Sequence, residues 1–170
     1  MTCRILIVDD SPSFRKGIKA LLEIQPDMQV AGVAPDGQEA LDLISTLRPD
    51  LVLLDAQMPG KTGIEVAPEM KSLCPETKII MMTLYPDYRS RAVEAGVDAF
   101  LTKGIPPEHL LTVIRGVMAK SSNREEDPQD PGKKGAGGPM DAEKKLKTIK
   151  FEDDKSSTQA GEYRQWTTEQ

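Results

Sequence analysis

The sequence predicts an α/β protein whose core is a doubly wound parallel sheet of five strands. Short apolar runs alternate along the chain with amphipathic helical patterns, as is typical of parallel strands joined by crossover helices. The clearest run is Leu51–Leu54, four consecutive large apolar residues that lead into Asp55 and then into a turn at Pro59–Gly60. A continuous apolar run of this length indicates a strand that is buried on both faces of the sheet.

The remaining elements are predicted from the same two patterns. The strands are expected at Ile5–Val8, Met28–Val33, Leu51–Asp55, Lys78–Met82 and Asp98–Leu101. The helices between and after them are expected at Pro12–Ile24, Ala40–Leu47, Thr62–Leu73, Pro86–Ala95 and Pro106–Met118. Pro68 lies inside the third helix and is expected to kink it or to delay its regular start. Gly96 is a plausible stop for the fourth helix.

The last fifty residues have a different character. Residues 121–170 are rich in Pro, Gly, Lys and acidic residues, and Gly135–Pro139 has the composition of a flexible linker. The segment contains few apolar residues, and their burial cannot offset the conformational entropy lost on ordering. It also lacks the apolar helical pattern that a helix-turn-helix module needs. We therefore predict a folded domain over 1–120 and a disordered tail over 121–170, without a recognisable output domain.

Charge and hydropathy restrict the classes of partner. The formal net charge is −5 and neither part of the chain is basic, so we expect no direct binding to nucleic acid through bulk charge. No apolar stretch approaches the roughly 18 residues of a membrane span, and the N-terminal run is too short for a signal peptide. A cytoplasmic protein with no membrane partner is expected. Cys3 and Cys74 have neither paired nor metal-ligand spacing, which favours a structural or surface role for each.

Polar side chains follow four of the predicted strands. Asp9 and Asp10 follow the first strand, Asp55 the third, Thr83 the fourth and Lys103 the fifth. In a doubly wound sheet these strand ends lie along one edge, where ligands bind. Two carboxylates ~4 Å apart repel by roughly 4 kcal/mol at an effective dielectric of about 20, and Mg²⁺, which prefers such hard oxygen ligands, removes that penalty. A carboxylate beside a metal, an ammonium and a hydroxyl is a plausible nucleophile toward a phosphoryl group.

Each of these residues also has a plain structural interpretation. Asp9, Asp10 and Asp55 are common types for turns and helix caps, Thr83 for a turn, and Lys103 for a solvated surface charge. Their occurrence together at equivalent strand ends favours a functional site. His109, the single histidine, lies early in the last helix and is not expected to have a catalytic role.

The motifs at these strand ends resemble those of a known family. The segments Val8–Asp10, Leu54–Gly60, Met82–Thr83 and Phe100–Lys103 are similar, in order and spacing, to the receiver domain of two-component response regulators, the CheY-like family. The resemblance extends over about residues 2–120. It implies a flavodoxin-like fold for this region and a role in a phosphorelay.

The resemblance also implies roles for individual residues. Asp55 would be the phosphoacceptor, taking a phosphoryl group from the phosphohistidine of a sensor histidine kinase. Mg²⁺ would be bound directly by Asp10 and Asp55, by Asp9 through water, and by the backbone carbonyl of Gln57. Lys103 would contact a phosphoryl oxygen.

Two further residues belong to the implied switch. Thr83 would hydrogen-bond the phosphoryl group, and Phe100 would be the aromatic residue whose rotamer changes with it. An aromatic side chain in a short strand is usually part of the core, so a purely structural role for Phe100 stays open.

The sequence departs from the family pattern at several positions. Gly104 stands where the family commonly has a proline, which leaves open whether the Lys103–Gly104 peptide is cis. Leu84 is bulkier than the residue usually found after the switch threonine and is expected to cover part of the phosphorylation pocket. Gln57 and Tyr85 occupy positions that tune dephosphorylation in the family, so the lifetime of the phosphorylated state is not predicted.

The function expected from these features is that of a response regulator. It would accept a phosphoryl group on Asp55, catalyse its own phosphoryl transfer and dephosphorylation without being an enzyme in the ordinary sense, and signal to an unknown output protein as a monomer or weak dimer. The alternative is a transcription regulator or a binding module that acts through its tail rather than through a fused DNA-binding domain. A phosphatase or phosphotransferase acting on small molecules is disfavoured, because such enzymes often need a second acidic residue where this chain has Gln57.

Overall fold

Five strands alternate with five helices in the computed structural model, which describes residues 2–122. The strands are β1 (Cys3–Val8), β2 (Met28–Ala34), β3 (Leu51–Asp55), β4 (Lys78–Thr83) and β5 (Ala99–Thr102). The helices are α1 (Pro12–Glu23), α2 (Gly37–Leu47), α3 (Gly63–Leu73), α4 (Arg89–Glu94) and α5 (Pro107–Ser122). The predicted α/β class and the predicted order of elements are therefore confirmed.

The strands form one parallel sheet in the order β2-β1-β3-β4-β5. Successive residues of β1 point to opposite faces: Ile5 packs in one buried cluster and Leu6 in the other. The first cluster includes residues of α1 and α5, and the second includes residues of α2, α3 and α4. Helices thus cover both faces of the sheet, which is the predicted doubly wound arrangement.

The edge strand β2 departs from simple alternation. Ile5 pairs with Val30, but the next residue, Leu6, pairs with Gly32, so β2 contains one extra residue at this point. A β-bulge of this kind turns the following side chains to the opposite face. Because of the extra residue, Val33 pairs with Ile7 and so lies on the same face as Val30, whereas unbroken alternation would place it on the opposite face. At this edge of the sheet Val33 is 39% exposed.

The fourth helix is shorter than predicted. A 3₁₀ turn covers Pro86–Tyr88, and the regular helix α4 begins only at Arg89. The N-cap residues of the two segments, Tyr85 and Tyr88, make no side-chain cap hydrogen bond. The Tyr88 amide hydrogen-bonds the Tyr85 carbonyl three residues back, which is the 3₁₀ pattern. The predicted single helix over Pro86–Ala95 is therefore wrong in its first turn. Gly96, with φ +77, ends it as predicted.

The third helix begins without the delay that Pro68 suggested. Thr62 caps it: the Thr62 hydroxyl accepts the Glu65 amide, and the Glu65 carboxylate accepts the Thr62 amide. This reciprocal capping box satisfies the amides of Thr62 and Glu65 at the start of the helix. The helix then runs from Gly63 through Pro68 to Leu73.

The predicted end of the folded domain, residue 120, lies within α5. The tail predicted over 121–170 lies, apart from the end of α5, outside the described residues, so the division at residue 120 stays a prediction. No helix within residues 2–122 is long and apolar enough to cross a membrane.

Candidate functional site

An open cavity of about 380 Å³ lies at the carboxyl ends of β1, β3, β4 and β5. This is the edge at which open parallel α/β sheets bind ligands. Most of the residues predicted to form the site line it together with neighbouring loop residues. The lining consists of Asp10, Ser11, Asp55, Gln57, Met58, Pro59, Thr83, Leu84, Tyr85 and Lys103.

Three carboxylates converge at this cavity. Asp9, Asp10 and Asp55 each offer an oxygen, and these oxygens lie within 4.8 Å of one another. Asp9 is 1% and Asp55 5% exposed, whereas Asp10 is exposed to solvent. Buried carboxylates at this separation repel unless a cation compensates them.

Lys103 supplies part of that compensation. Its Nζ lies 2.6 Å from Oδ2 of Asp55 and 2.8 Å from Oδ2 of Asp9. The ammonium also lies 4.6 Å from the ring centroid of Phe14 on α1, within cation–π range. Gly104 follows with φ +93, and no peptide bond within residues 2–122 is cis, so the Lys103–Gly104 peptide is trans.

The local environment shifts the pKa of both partners in the central ion pair. Burial raises the pKa of Asp55 above its ordinary value of 3.8, and the hydrogen bond from Lys103 opposes this rise only in part. Burial lowers the pKa of Lys103, but its hydrogen bonds to Asp55 and Asp9 outweigh burial and raise that pKa above 10.5. Lys103 therefore carries its charge at neutral pH, where it faces the carboxylates.

The loop after β3 fixes Asp55 by close backbone packing. The Gly63 amide hydrogen-bonds the Ala56 carbonyl at 3.0 Å, and a Cβ added at Gly63 would lie 1.9 Å from the carbonyl oxygen of Asp55. Only glycine permits this approach. The Gln57 amide donates to Oδ1 of Asp55 at 3.2 Å, which orients the carboxylate.

Asp9 is fixed by the start of α1. Its Oδ1 accepts the Ser11 amide at 2.9 Å, and the Arg15 guanidinium donates to its backbone carbonyl. Ser11 is in turn the N-cap of α1, since its hydroxyl accepts the Phe14 amide. The helix and the first carboxylate of the cluster are therefore held by the same short turn.

Thr83 lies at the end of β4 and lines the cavity. It is 1% exposed, and its hydroxyl accepts the Tyr85 amide at 3.2 Å. Its carbonyl accepts the Lys103 amide at 2.7 Å and so ties β4 to the residue that neutralises the carboxylates. Leu84 lines the cavity as expected, yet it is 68% exposed and leaves the cavity open to solvent.

Phe100 does not line the cavity. It is half-buried and packs against the cluster formed with α2, α3 and α4. This packing agrees with the structural interpretation of Phe100, and its predicted change of rotamer stays a prediction.

Three residues that contact the site were not predicted from the sequence. Phe14 lies beside the Lys103 ammonium, and Arg15 binds the Asp9 carbonyl. Tyr88 accepts a hydrogen bond from Nε2 of Gln57 at 2.6 Å. The first two lie on the helix that follows the two aspartates, so helical spacing from Asp10 was a usable signal for them. Tyr88 had no such signal, because its position follows from the 3₁₀ turn.

The donor set fits a hard divalent cation such as Mg²⁺. Three carboxylates with one exposed member, Asp10, offer oxygen ligands and access for water, which Mg²⁺ usually retains. Gln57 lines the same cavity, as the predicted use of its carbonyl requires. Lys103 occupies two of the carboxylate oxygens and therefore competes with a cation for them.

Comparison with known proteins agrees with this geometry. Residues 5–115 match the response regulator receiver domain. The transcriptional regulatory protein DesR of Bacillus subtilis (strain 168) is 40% identical over 116 residues, 67% of this chain and 57% of DesR. The chain spans about half the length of the curated relatives it matches, from 52% to 57% of the first three.

Solved structures show the same likeness. A LuxR-family two-component response regulator from Aurantimonas sp. SI85-9A1 has a TM-score of 0.67 and 32% identity, covering 71% of this chain and 87% of that chain. The response regulator domain of Thermotoga maritima CheB has a TM-score of 0.64 and 31% identity, covering 75% of this chain and all of the domain, 100%. The chain belongs to the response regulator receiver domain family.

Proposed function

We propose that Asp55 accepts a phosphoryl group from the phosphohistidine of a sensor histidine kinase. The observation that supports this most strongly is the setting of Asp55: a carboxylate of 5% exposure at an open cavity, with the Lys103 ammonium 2.6 Å away and two further carboxylates beside it. In such a step an Asp55 oxygen forms a bond to phosphorus. The bond from phosphorus to the histidine nitrogen breaks, and its electron pair stays on the imidazole.

The neighbouring residues have distinct roles in this proposal. Lys103 exchanges part of its contact with Asp55 for a phosphoryl oxygen, whose negative charge it stabilises. Thr83 donates its hydroxyl to another phosphoryl oxygen. Mg²⁺ would be held by Asp10 and Asp55, by Asp9 through water and by the Gln57 carbonyl, and it supplies charge neutralisation at the phosphoryl group.

Phosphorylation is proposed to act by shifting an equilibrium between two conformations. The affected surface comprises Thr83, the loops around the cavity, and the outer faces of α4 and α5. Thr83 is suited to this role because it is bonded both to the Tyr85 amide and to the Lys103 amide. Phe100, a residue of β5 that packs against the buried cluster formed with α2, α3 and α4, is the side chain expected to follow. This chain, as a monomer or weak dimer, would present the changed surface to an unknown output protein in the cytoplasm.

A second candidate function is supported by the names of the relatives. DesR is named a transcriptional regulatory protein, and the Aurantimonas structure is a LuxR-family regulator. A DNA-binding output supplied by residues outside the described part is therefore the alternative to a protein partner. Gel-shift titration of the full chain with a pool of random duplex DNA, phosphorylated and unphosphorylated, separates the two: phosphorylation-dependent retardation favours the alternative.

The first test is intact-mass analysis after incubation with acetyl phosphate. We expect one phosphoryl adduct in the presence of Mg²⁺, none with excess EDTA, and none in Asp55→Asn, which keeps the shape of the side chain but removes its nucleophilic charge. Asp87→Asn is the matched control, because Asp87 is an exposed carboxylate on the 3₁₀ turn and outside the cavity lining. An adduct that persists in Asp55→Asn, or no adduct under any condition, contradicts the proposal.

A further inference from the structure

One hydrogen bond joins the two loops that border the cavity. Nε2 of Gln57, in the loop after β3, donates to the hydroxyl oxygen of Tyr88 at 2.6 Å. Tyr88 ends the 3₁₀ turn after β4, so the bond connects positions 31 residues apart in the chain. Gln57 lines the cavity, whereas Tyr88 is not among the residues that line it.

The Tyr88 ring is anchored independently of this bond. It is half-buried and packs against the hydrophobic cluster under α4. The Arg91 guanidinium carbon lies 5.3 Å from the ring centroid, and the Tyr85 ring lies 6.2 Å away at an angle of 47°. The hydroxyl is therefore a fixed acceptor, and it is the exposed Gln57 side chain that the bond restrains.

The restrained amide lies two residues from Asp55. The Gln57 backbone amide hydrogen-bonds Oδ1 of Asp55, but within the described residues the side-chain amide bonds Tyr88 and not Asp55. A glutamine amide has a donor and an acceptor and, when free to approach a phosphoryl group, can orient an attacking water. The hydrogen bond to Tyr88 keeps the Gln57 side-chain amide from orienting such a water.

We propose that Tyr88 is a positioning residue that holds the Gln57 amide at the side of the cavity and thereby lengthens the lifetime of a phosphoryl group on Asp55. The inference rests on the proposed function, since it concerns the loss of that group. In hydrolysis a water oxygen bonds to phosphorus, the bond from phosphorus to the Asp55 oxygen breaks, and its electron pair returns to the carboxylate. The water proton passes to solvent, and inorganic phosphate leaves.

The test follows the decay of the adduct by intact-mass analysis after acetyl phosphate is removed. Tyr88→Phe keeps the ring and its packing but deletes the acceptor. Loss of one neutral hydrogen bond predicts a half-life shorter by about threefold to tenfold. Ser72→Ala deletes a hydroxyl that bonds the Pro68 carbonyl on α3, away from the cavity, and is expected to leave the half-life unchanged.

A double-mutant cycle distinguishes positioning from a general structural effect. If Tyr88 acts through the Gln57 amide, Tyr88→Phe has no effect on the half-life in a Gln57→Ala background. An unchanged half-life in the single Tyr88→Phe variant, or an equal shortening in both backgrounds, overturns the inference while leaving Asp55 as the phosphoacceptor. Absence of any adduct in the unmodified chain overturns both proposals.

Discussion

At the scale of single residues, the site is organised by competition for carboxylate oxygens. Lys103 bonds one oxygen of Asp9 and one of Asp55. The ring of Phe14, on α1, lies beside the Lys103 ammonium. A divalent cation needs oxygens from the same cluster. The lysine therefore stabilises the metal-free site, while its charge opposes the approach of the metal.

This competition predicts that Lys103→Met strengthens Mg²⁺ binding but slows phosphorylation. An adjacent positive charge lowers the pKa of a carboxylate by about one to three, because it competes with the proton for the negative charge. It competes with Mg²⁺ in the same way, so we expect the variant to bind Mg²⁺ about tenfold more tightly or better. We also expect acetyl phosphate to react more slowly, because the phosphoryl oxygen loses its ammonium partner. Calorimetric titration with Mg²⁺ and the rate of adduct formation measure the two effects.

The matched control for this prediction is Lys120→Met, an exposed lysine near the end of α5 that makes the same change of charge. Weaker Mg²⁺ binding in Lys103→Met than in the control would show that the lysine helps to hold the metal ligands in place. The proposed competition would then be wrong.

The residues of the site were predictable to the extent that strands end in them. Asp9, Asp55 and Lys103 follow apolar runs, and parallel strands bring their carboxyl ends to one edge. Phe14 and Tyr88 reach the site from a helix face and from a 3₁₀ turn. Which way such side chains point depends on packing between elements, and the periodicity of a single segment does not contain that information.

At the scale of elements, the junction between β3 and α3 depends on a glycine. The Gly63 backbone lies against the Asp55 carbonyl, where a Cβ would approach to 1.9 Å. We expect Gly63→Ala to reduce the free energy of unfolding by about 2–3 kcal/mol through overpacking, and to slow adduct formation because Asp55 must shift. Urea denaturation and intact-mass kinetics measure the two effects.

Gly17 provides the matched comparison. It lies inside α1, has nothing within 4 Å of an added Cβ, and takes no part in the cavity. Gly17→Ala should raise the free energy of unfolding by about 0.5–1 kcal/mol, since alanine loses less backbone entropy in a helix. If the two variants changed stability equally, close packing at Gly63 would not be the cause.

A second element-level prediction concerns the contact between α5 and the connection from α1 to β2. Arg115 donates to both oxygens of Asp27, at 2.8 and 2.9 Å. These hydrogen bonds lower the pKa of Asp27 below 3.8, so their contribution to stability is present above that pH and is lost as pH falls through the lowered pKa. In Arg115→Gln we expect the pKa of Asp27 to rise toward 3.8.

Carboxyl-carbon NMR titration measures this shift. Glu65 is the internal reference, because its lowered pKa comes from hydrogen bonds with Thr62 at the start of α3, which Arg115→Gln leaves intact. An unchanged Asp27 titration in the variant would mean that the ion pair does not persist in solution.

The positions of the elements were predictable, but local departures from their patterns were not. Alternation predicted β2, yet the extra residue opposite Ile5 and Leu6 arises from pairing with β1. The sequence predicted one helix from Pro86 to a stop at Gly96, yet Pro86–Tyr88 form a 3₁₀ turn with no side-chain cap hydrogen bond at its start. Both departures depend on hydrogen bonds outside the hydrophobic pattern, and the second positions Tyr88 beside Gln57.

At the scale of the whole molecule, every residue proposed to take part in phosphoryl transfer lies within residues 2–122. The sheet order β2-β1-β3-β4-β5 places β1 and β3 side by side, with β4 and β5 following. This arrangement brings Asp9, Asp55, Thr83 and Lys103 together although they are separated by nearly a hundred positions. Within residues 2–122, the cavity is lined by the ends of β1, β3, β4 and β5 and by the loops that follow them.

A fragment of residues 1–122 tests whether this part suffices. We expect it to unfold cooperatively and to form the Mg²⁺-dependent adduct at the rate of the full chain, because it retains both helical layers and every cavity residue in the described part of the chain. Urea denaturation and intact-mass kinetics on the two lengths, each beside its Asp55→Asn variant, make the comparison. A fragment that folds but reacts at a different rate would show that residues 123–170 act on the cavity. A fragment that fails to fold would contradict the predicted boundary near residue 120.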